Sequence, residues 1–239
     1  MRILILGAGP TAADQPPVWL AENQHGVLIE RLAQSCASLN GRMVFAVRLT
    51  DMRRYKIESV IGLVAPGSLV VPIRGETAGA ACTALLCIRH LEPDQEVLIL
   101  NNNEIIDIDY GEVVADFRQR HLDAGVVTFP SVHPRYSYVA LDDDGLVVEA
   151  AEKHPISRHA TAGFYWFRRS AEFVEAVQNM IRKDAHVDGR FFISPVFNEY
   201  VLSQKRVGIF ETDSRRYQPL KSRRQISIYE ADTDSGPRS

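Results

Sequence analysis

An α/β fold with a mostly parallel central sheet and a mixed-sheet C-terminal half follows from three features of this chain. Short apolar runs recur at 3–6, 43–47, 69–73, 97–100, 126–132 and 207–210. Each is near-continuous rather than alternating, as in strands covered on both faces. Segments of helical periodicity lie between them, and such alternation implies βαβ units. After Phe129 the pattern changes to a hairpin followed by a strand and helices.

The run at 3–6 gives the first strand, and Gly7-Ala8-Gly9 turns the chain away from its end. Leu28, Leu32 and Cys36, with Val27, Ile29 and Ala33 beside them, form one helix face. The Ala-, Leu- and Cys-rich stretch 77–91 reads as a second helix, with Gly79 near its start. Val113, Val114, Phe117 and His121 mark a third, for which the acidic Asp107-Ile108-Asp109 supplies a cap. Segments 136–141 and 146–150 flank Asp142-Asp143-Asp144-Gly145, where Asp-Gly supplies the positive φ of a tight hairpin. A strand at 161–168 and helices at 172–181 and 195–202 complete this half. From Ser214 onward, Arg215, Arg216, Lys221, Arg223 and Arg224 crowd together before a Ser/Asp/Gly/Pro end. Residues 212–239 therefore read as a basic, flexible tail after a single domain over 1–211.

The 239 residues can bury a full core, and 46% hydrophobic with 24% charged residues is ordinary for a globular protein. A net charge of -3 offers no general attraction to nucleic acid or to an anionic membrane. Cys36, Cys82 and Cys87 show no metal spacing and suit reduced thiols in a cytoplasmic protein. The N-terminal apolar run is too short for a signal peptide or a membrane span.

The words Thr77-Ala78-Gly79-Ala80-Ala81-Cys82-Thr83, Leu98-Ile99-Leu100-Asn101, Val132-His133-Pro134-Arg135-Tyr136-Ser137-Tyr138, Ala160-Thr161-Ala162-Gly163 and Ser194-Pro195-Val196-Phe197-Asn198-Glu199 recur in a fixed order. So does Glu149-Ala150-Ala151-Glu152-Lys153-His154-Pro155-Ile156-Ser157. Together they resemble the nucleotidyltransferases that activate sugar phosphates, most closely the subgroup found with capsule and surface-polysaccharide genes. The resemblance spans roughly 1–211 and is strong from 76 to 200. It implies a Rossmann-like nucleotidyltransferase (GT-A-like) fold, with a nucleotide half at about 1–128 and a sugar-phosphate half at about 129–211. The implied partners are a nucleoside triphosphate and a sugar phosphate, with neither nucleic acid nor membrane, and a homo-oligomer is left open. The implied chemistry is attack of a phosphate oxygen on the α-phosphorus with release of pyrophosphate, helped by Mg²⁺. Such transfer needs charge neutralisation and alignment more than covalent help. Lys153, preceded by Glu152, matches the lysine that holds the sugar phosphate. Gly163 matches a glycine over which the sugar approaches the backbone. Gly7, Gly9, Thr77 and Gly79 match the nucleotide-side turns, and Asn103 stands at the metal-ligand position.

Three departures from that pattern fall on the triphosphate and metal side. No Arg or Lys occurs between Arg2 and Arg31, where the resemblance implies two loop cations. Losing one such contact typically costs about 3 kcal/mol of transition-state stabilisation. Asn103, with Glu104, Asp107 or Asp109 nearby, replaces an aspartate. The C-terminal metal word is not recognisable in Glu211-Thr212-Asp213-Ser214-Arg215-Arg216-Tyr217-Gln218-Pro219. The expectation is thus nucleotidyl transfer to a phosphorylated sugar or similar acceptor. The alternative is a degenerate relative that binds sugar phosphate or nucleotide sugar as a regulator or partner subunit. A glycosyltransferase using Asp107-x-Asp109 is a third reading. His133 reads as a turn residue, and Trp19 and Trp166 as core or cleft-wall aromatics.

Overall fold

In the computed structural model, residues 1–9 and 15–231 are described. Pro10 to Asp14 of the first loop, and 232–239 of the expected tail, lie outside the described residues. The first strand β1 (Arg2–Gly7) is followed by the short pair β2 (Glu22–Asn23) and β3 (Gly26–Val27), then helix α1 (Leu28–Ser35). Next come β4 (Arg42–Arg48), α2 (Leu49–Tyr55), α3 (Ile57–Val64), β5 (Leu69–Ile73) and α4 (Ala80–Leu85). Strands β6 (Val97–Asn101) and β7 (Glu104–Ile106) precede α5 (Tyr110–Gln119) and β8 (Ala124–Pro130). The second half contributes β9 (Ser137–Leu141), β10 (Val147–Glu152), β11 (His159–Phe167), α6 (Ser170–Arg182), α7 (Val196–Leu202) and β12 (Val207–Glu211). The chain then runs through β13 (Tyr217–Pro219) into α8 (Arg223–Ala231).

Among the described residues nine strands form one sheet, in the order β10-β9-β11-β6-β1-β4-β5, with β8 and β12 joined beyond β11. Strands β6, β1, β4 and β5 are parallel, and β11 runs antiparallel to β6, β8 and β9. The expected α/β fold with a mixed second half is therefore what the chain adopts. Side chains alternate between two cores. Leu4, Leu6, Val97 and Ile99 face α4, α6 and α7, while Ile3, Ile5, Leu98 and Leu100 face α1, α3 and α5. The first runs look continuous because both of their faces are buried.

Two details matter for the site. The connection from β1 to β4 goes to one side while β6 lies on the other, so β1 and β6 border a switch point, where clefts open in such sheets. Secondly, one side of β11 pairs with β9 at His159–Ala160 and with β6 at Phe164–Phe167. Thr161, Ala162 and Gly163 sit where those two neighbours part.

Three expectations change. The stretch 77–91 is not one helix but α4 and a separate 3-10 turn at Ile88–His90. Its start is fixed from outside, where Ala81 N–H donates to the Phe191 carbonyl. Residues 49–64 form two helices that the sequence pattern did not mark, joined at Lys56 in the left-handed region with φ 53°. The segment after 211 is not a free tail over its described part. Strand β13 pairs with β7, and Tyr217, Leu220 and Tyr229 are buried. The cysteines are all free, and burial pushes the Cys36 and Cys87 thiols up to about 12.

Candidate active site

The site lies past the ends of β1 and β6. Strand β6 ends at Asn101, and the turn through Asn102 and Asn103 delivers Glu104 at the head of β7. Glu104 is only 2% exposed, yet its carboxylate is fully engaged. Oε1 accepts from Asn101 Nδ2 at 2.7 Å, and Oε2 accepts from the Tyr217 hydroxyl at 2.5 Å and faces Lys221 Nζ at 3.0 Å. Burying an unpaired carboxylate would cost several kcal/mol, so this set of donors is what makes the position tolerable. The Tyr217 hydroxyl is held protonated, its pKa driven well above the usual phenol range by burial and then by the Glu104 charge.

Gly163 belongs to the same cluster. A Cβ there would collide with Glu104 Oε1 and Asn101 Nδ2, so the missing side chain makes room for the two residues that terminate β6 and begin β7. On its Cβ side Gly163 therefore packs against the protein's own side chains. Glu152 ends β10 opposite Ser137, whose hydroxyl donates to it. Burial raises the Glu152 pKa, against the opposing effects of the Ser137 hydrogen bond and of Lys153 and Lys221. Tyr165 is buried nearby, and its hydroxyl lies 3.3 Å from that of Thr161.

Lys153 follows in the left-handed region with φ 57°. Its N–H donates to the Tyr136 carbonyl at 3.0 Å. Its ammonium turns to Asp188 Oδ2 at 3.3 Å and sits 5.2 Å from the centre of the Phe192 ring. The neighbouring Phe191 pins the Thr77–Gly79 turn: Phe191 N–H donates to the Ala78 carbonyl at 2.7 Å. Gly79 has φ 111° and packs directly on the Phe191 backbone, so glycine is required there by close approach of the chain. Thr77 spends its hydroxyl on Thr83 at 2.7 Å. Gly7 is similarly committed, since the fully buried Trp19 ring lies against its Cα. Gly9 is exposed with open space beside it.

Of the expected residues, Glu152, Gly163 and Asn103 thus gather around Glu104, whereas Lys153, Thr77 and Gly79 are linked through the 188–192 segment at its rim. A concavity of about 260 Å³ lined by Ile108, Asp109, Glu112, Phe210, Glu211, Thr212, Asp213 and Arg216 contains none of them. Asp109 caps α5, accepting from Gly111 N–H at 2.7 Å, and those bonds hold its carboxyl below the usual range. The cap reading is the correct one for Asp109.

A family profile described as "Nucleotidyl transferase" matches residues 24–213. The chain belongs to the nucleotidyl transferase family. The chain is 34% identical over 83 residues to a glucose-1-phosphate adenylyltransferase of Thermomicrobium roseum, a match spanning 33% of this chain and only 19% of that relative. In fold it is similar to a nucleoside-diphosphate-sugar pyrophosphorylase from Vibrio cholerae RC9, with a TM-score of 0.79, 16% identity and coverage of 96% and 99% of the two chains. A UDP-glucose pyrophosphorylase complexed with UDP-glucose gives a TM-score of 0.71 at 12% identity, over 95% of this chain and 97% of the other. At such identities the likeness is one of fold. No helix among the described residues is long and apolar enough to cross a membrane.

Within this member of the family the residue at Glu104 that sequence reasoning missed is Lys221, which it counted among the tail cations. The overlooked signal was the apolar punctuation Tyr217-x-Pro219-Leu220 ahead of it. Among the described residues the donor set around Glu104 does not suit a resident Mg²⁺. Glu104 already binds Asn101, Tyr217 and Lys221, Asn103 is neutral, and Glu152 is held by Ser137. Hard divalent cations favour anionic oxygens with free lone pairs. Among the described residues no group of three His, Cys, Asp or Glu side chains is arranged to hold a metal.

Proposed function

We propose that this chain transfers a nucleotidyl group from a nucleoside triphosphate to a phosphorylated sugar, releasing pyrophosphate. The observation that carries this reading is the convergence of Glu104, Glu152, Gly163 and Lys221 past the ends of β1 and β6, with Lys153 at the rim. In the reaction an acceptor phosphate oxygen bonds to the α-phosphorus as the bond to the departing pyrophosphate breaks. The assigned work of Lys153 is to hold the acceptor phosphate. Its present partner Asp188 is 78% exposed, and such surface pairs contribute about 0–1 kcal/mol, so a doubly charged phosphate displaces it readily. Glu152 positions the Lys153 backbone, and Gly9 with the Thr77–Gly79 turn borders the nucleotide. Any Mg²⁺ would come bound to the triphosphate. The polysaccharide-like words of the sequence favour an activated sugar for surface polysaccharide as the product, with the work done in the cytoplasm.

One observation favours a second reading, binding of sugar phosphate or nucleotide sugar without turnover. Trp19 fills the space over Gly7, and the first loop carries no cation. Pyrophosphate release measured over a panel of nucleoside triphosphates and sugar 1-phosphates separates the two. Release that disappears in Lys153→Ala supports transfer; silence across the panel, with calorimetric binding of a sugar phosphate, leaves only the second reading.

A further inference from the structure

We propose that Lys221, delivered by the C-terminal β13–α8 segment, is the resident cation of this cleft and the anchor for a substrate phosphate, in place of a loop cation or a bound metal. The proposal rests on the reading that the cleft holds a phosphorylated ligand.

The first argument is charge. Glu104 is buried, and its other donors, Asn101 and Tyr217, are neutral. The ammonium of Lys221 is the cation paired with it, and Lys221 also acts on Glu152, lowering the pKa that burial raises. One cation therefore serves two carboxylates. The second argument is access. The Lys221 side chain is 28% exposed, against 2% for Glu104, so the pair opens to solvent on the lysine side. It sits between the Tyr136 and Tyr217 rings, 5.6 and 6.0 Å from their centres, and has three protons to share. Glu104 is its only ion-pair partner among the described residues.

The third argument is delivery. Leu220 N–H donates to the Asn103 carbonyl at 2.8 Å, Pro219 stands in register with Glu104, and Lys221 N–H donates to Gln225 Oε1 at 2.9 Å. A residue whose backbone is anchored by strand pairing on one side and by a helix side chain on the other is pre-organised rather than recruited. Two residues on, Arg223 lies against the side-chain amide of Gln15, where the first loop re-enters the described structure. The same segment thus brings cations to a loop that has none of its own between Arg2 and Arg31.

The test is calorimetric titration of the full-length protein with inorganic pyrophosphate, in EDTA and again in excess MgCl₂. The wild type is expected to bind in EDTA, Lys221→Arg to retain that affinity within roughly threefold, and Lys221→Met to lose roughly tenfold or more, the usual worth of a charge-assisted contact. Lys221→Met leaves Glu104 buried without its cation and can fail to fold. The pair Glu104→Gln with Lys221→Met removes both charges and is expected to show the same loss in a folded chain. Unchanged affinity in either folded variant overturns the proposal, as does wild-type binding that is absent in EDTA. Lack of pyrophosphate release with Lys221-dependent binding intact would instead remove the transfer reading and leave this one standing.

Discussion

Gly163 carries no side chain because Glu104 and Asn101 occupy the volume where one would sit. Gly163→Ala is therefore an overpacking change in a polar cluster, expected to cost about 2–3 kcal/mol in denaturant unfolding. Glu104→Ala in the same chain should recover part of that loss, a coupling that two unrelated sites would lack. Lys153 behaves differently. Its side chain is 43% exposed and its partner's more so, hence Lys153→Ala should move stability by less than about 1 kcal/mol. Loss of turnover in a variant of unchanged melting temperature then reports on phosphate binding rather than folding. Glu152 supplies a pH signature. Burial raises its pKa above the ordinary carboxylate value, so a proton binds the folded chain more tightly than the unfolded one. That contribution favours folding fully at low pH and disappears as pH rises through the elevated folded-state value. Glu152→Gln should accordingly narrow the drop in melting temperature between pH 4.5 and 8; an unchanged slope would show that Glu152 does not titrate in a buried setting.

At the scale of elements, β10 is the sheet's outer strand, and α7 closes it off. The Asn198 side chain accepts from Ala150 N–H and donates to the Ala150 carbonyl, both at 2.8 Å, so an amide imitates the missing neighbouring strand. Edge strands left open invite pairing with other chains. Asn198→Ala leaves both backbone groups of a buried residue unpaired and should cost about 1–3 kcal/mol, with faster hydrogen exchange at the Ala150 amide. This contact also shows what sequence pattern can carry. Strands β1, β4 and β6 were legible because burial on two faces removes polar residues from them. The β9–β10 hairpin was legible because Asp-Gly encodes its turn locally. The Glu152-Lys153 word stood out for the same reason, being a local chemical signature, and the structure places it at the end of β10. By contrast β7 and β13 are three residues each and exist only because they pair with one another. Tyr217 meets Glu104 from 113 residues away, a contact no periodicity announces. Lys221 was hidden with it, and a run of arginines and lysines looked like a solvated end.

For the whole molecule, that segment turns a two-core sheet domain into a closed one. Tyr217 joins the core that contains Ile106 and Phe129, stacking on Phe129 with ring centres 4.0 Å apart. Leu220 and Tyr229 build a third, smaller core with Ala21, Leu28, Leu32 and Ile105, so the chain's last described helix roofs β2, β3 and α1. Fully burying a large apolar side chain contributes about 1.5–3 kcal/mol, which puts the three anchors together at roughly 5–9 kcal/mol before entropy is charged against them. The net stability of a domain is commonly about 5–15 kcal/mol. Removal of everything after Asp213 would thus withdraw a sum comparable to the whole, while also stripping Glu104 of its hydroxyl and its ammonium. The expected outcome is a chain without a cooperative thermal transition, in contrast to Lys221→Arg, which keeps both anchors and charge. Should the truncated protein melt cooperatively within a few degrees of the full chain, the C-terminal segment would be an ornament on a self-sufficient fold. Glu104 would then have to be tolerated in the interior with Asn101 as its remaining side-chain donor, and the electrostatic case for Lys221 would lose its foundation with it.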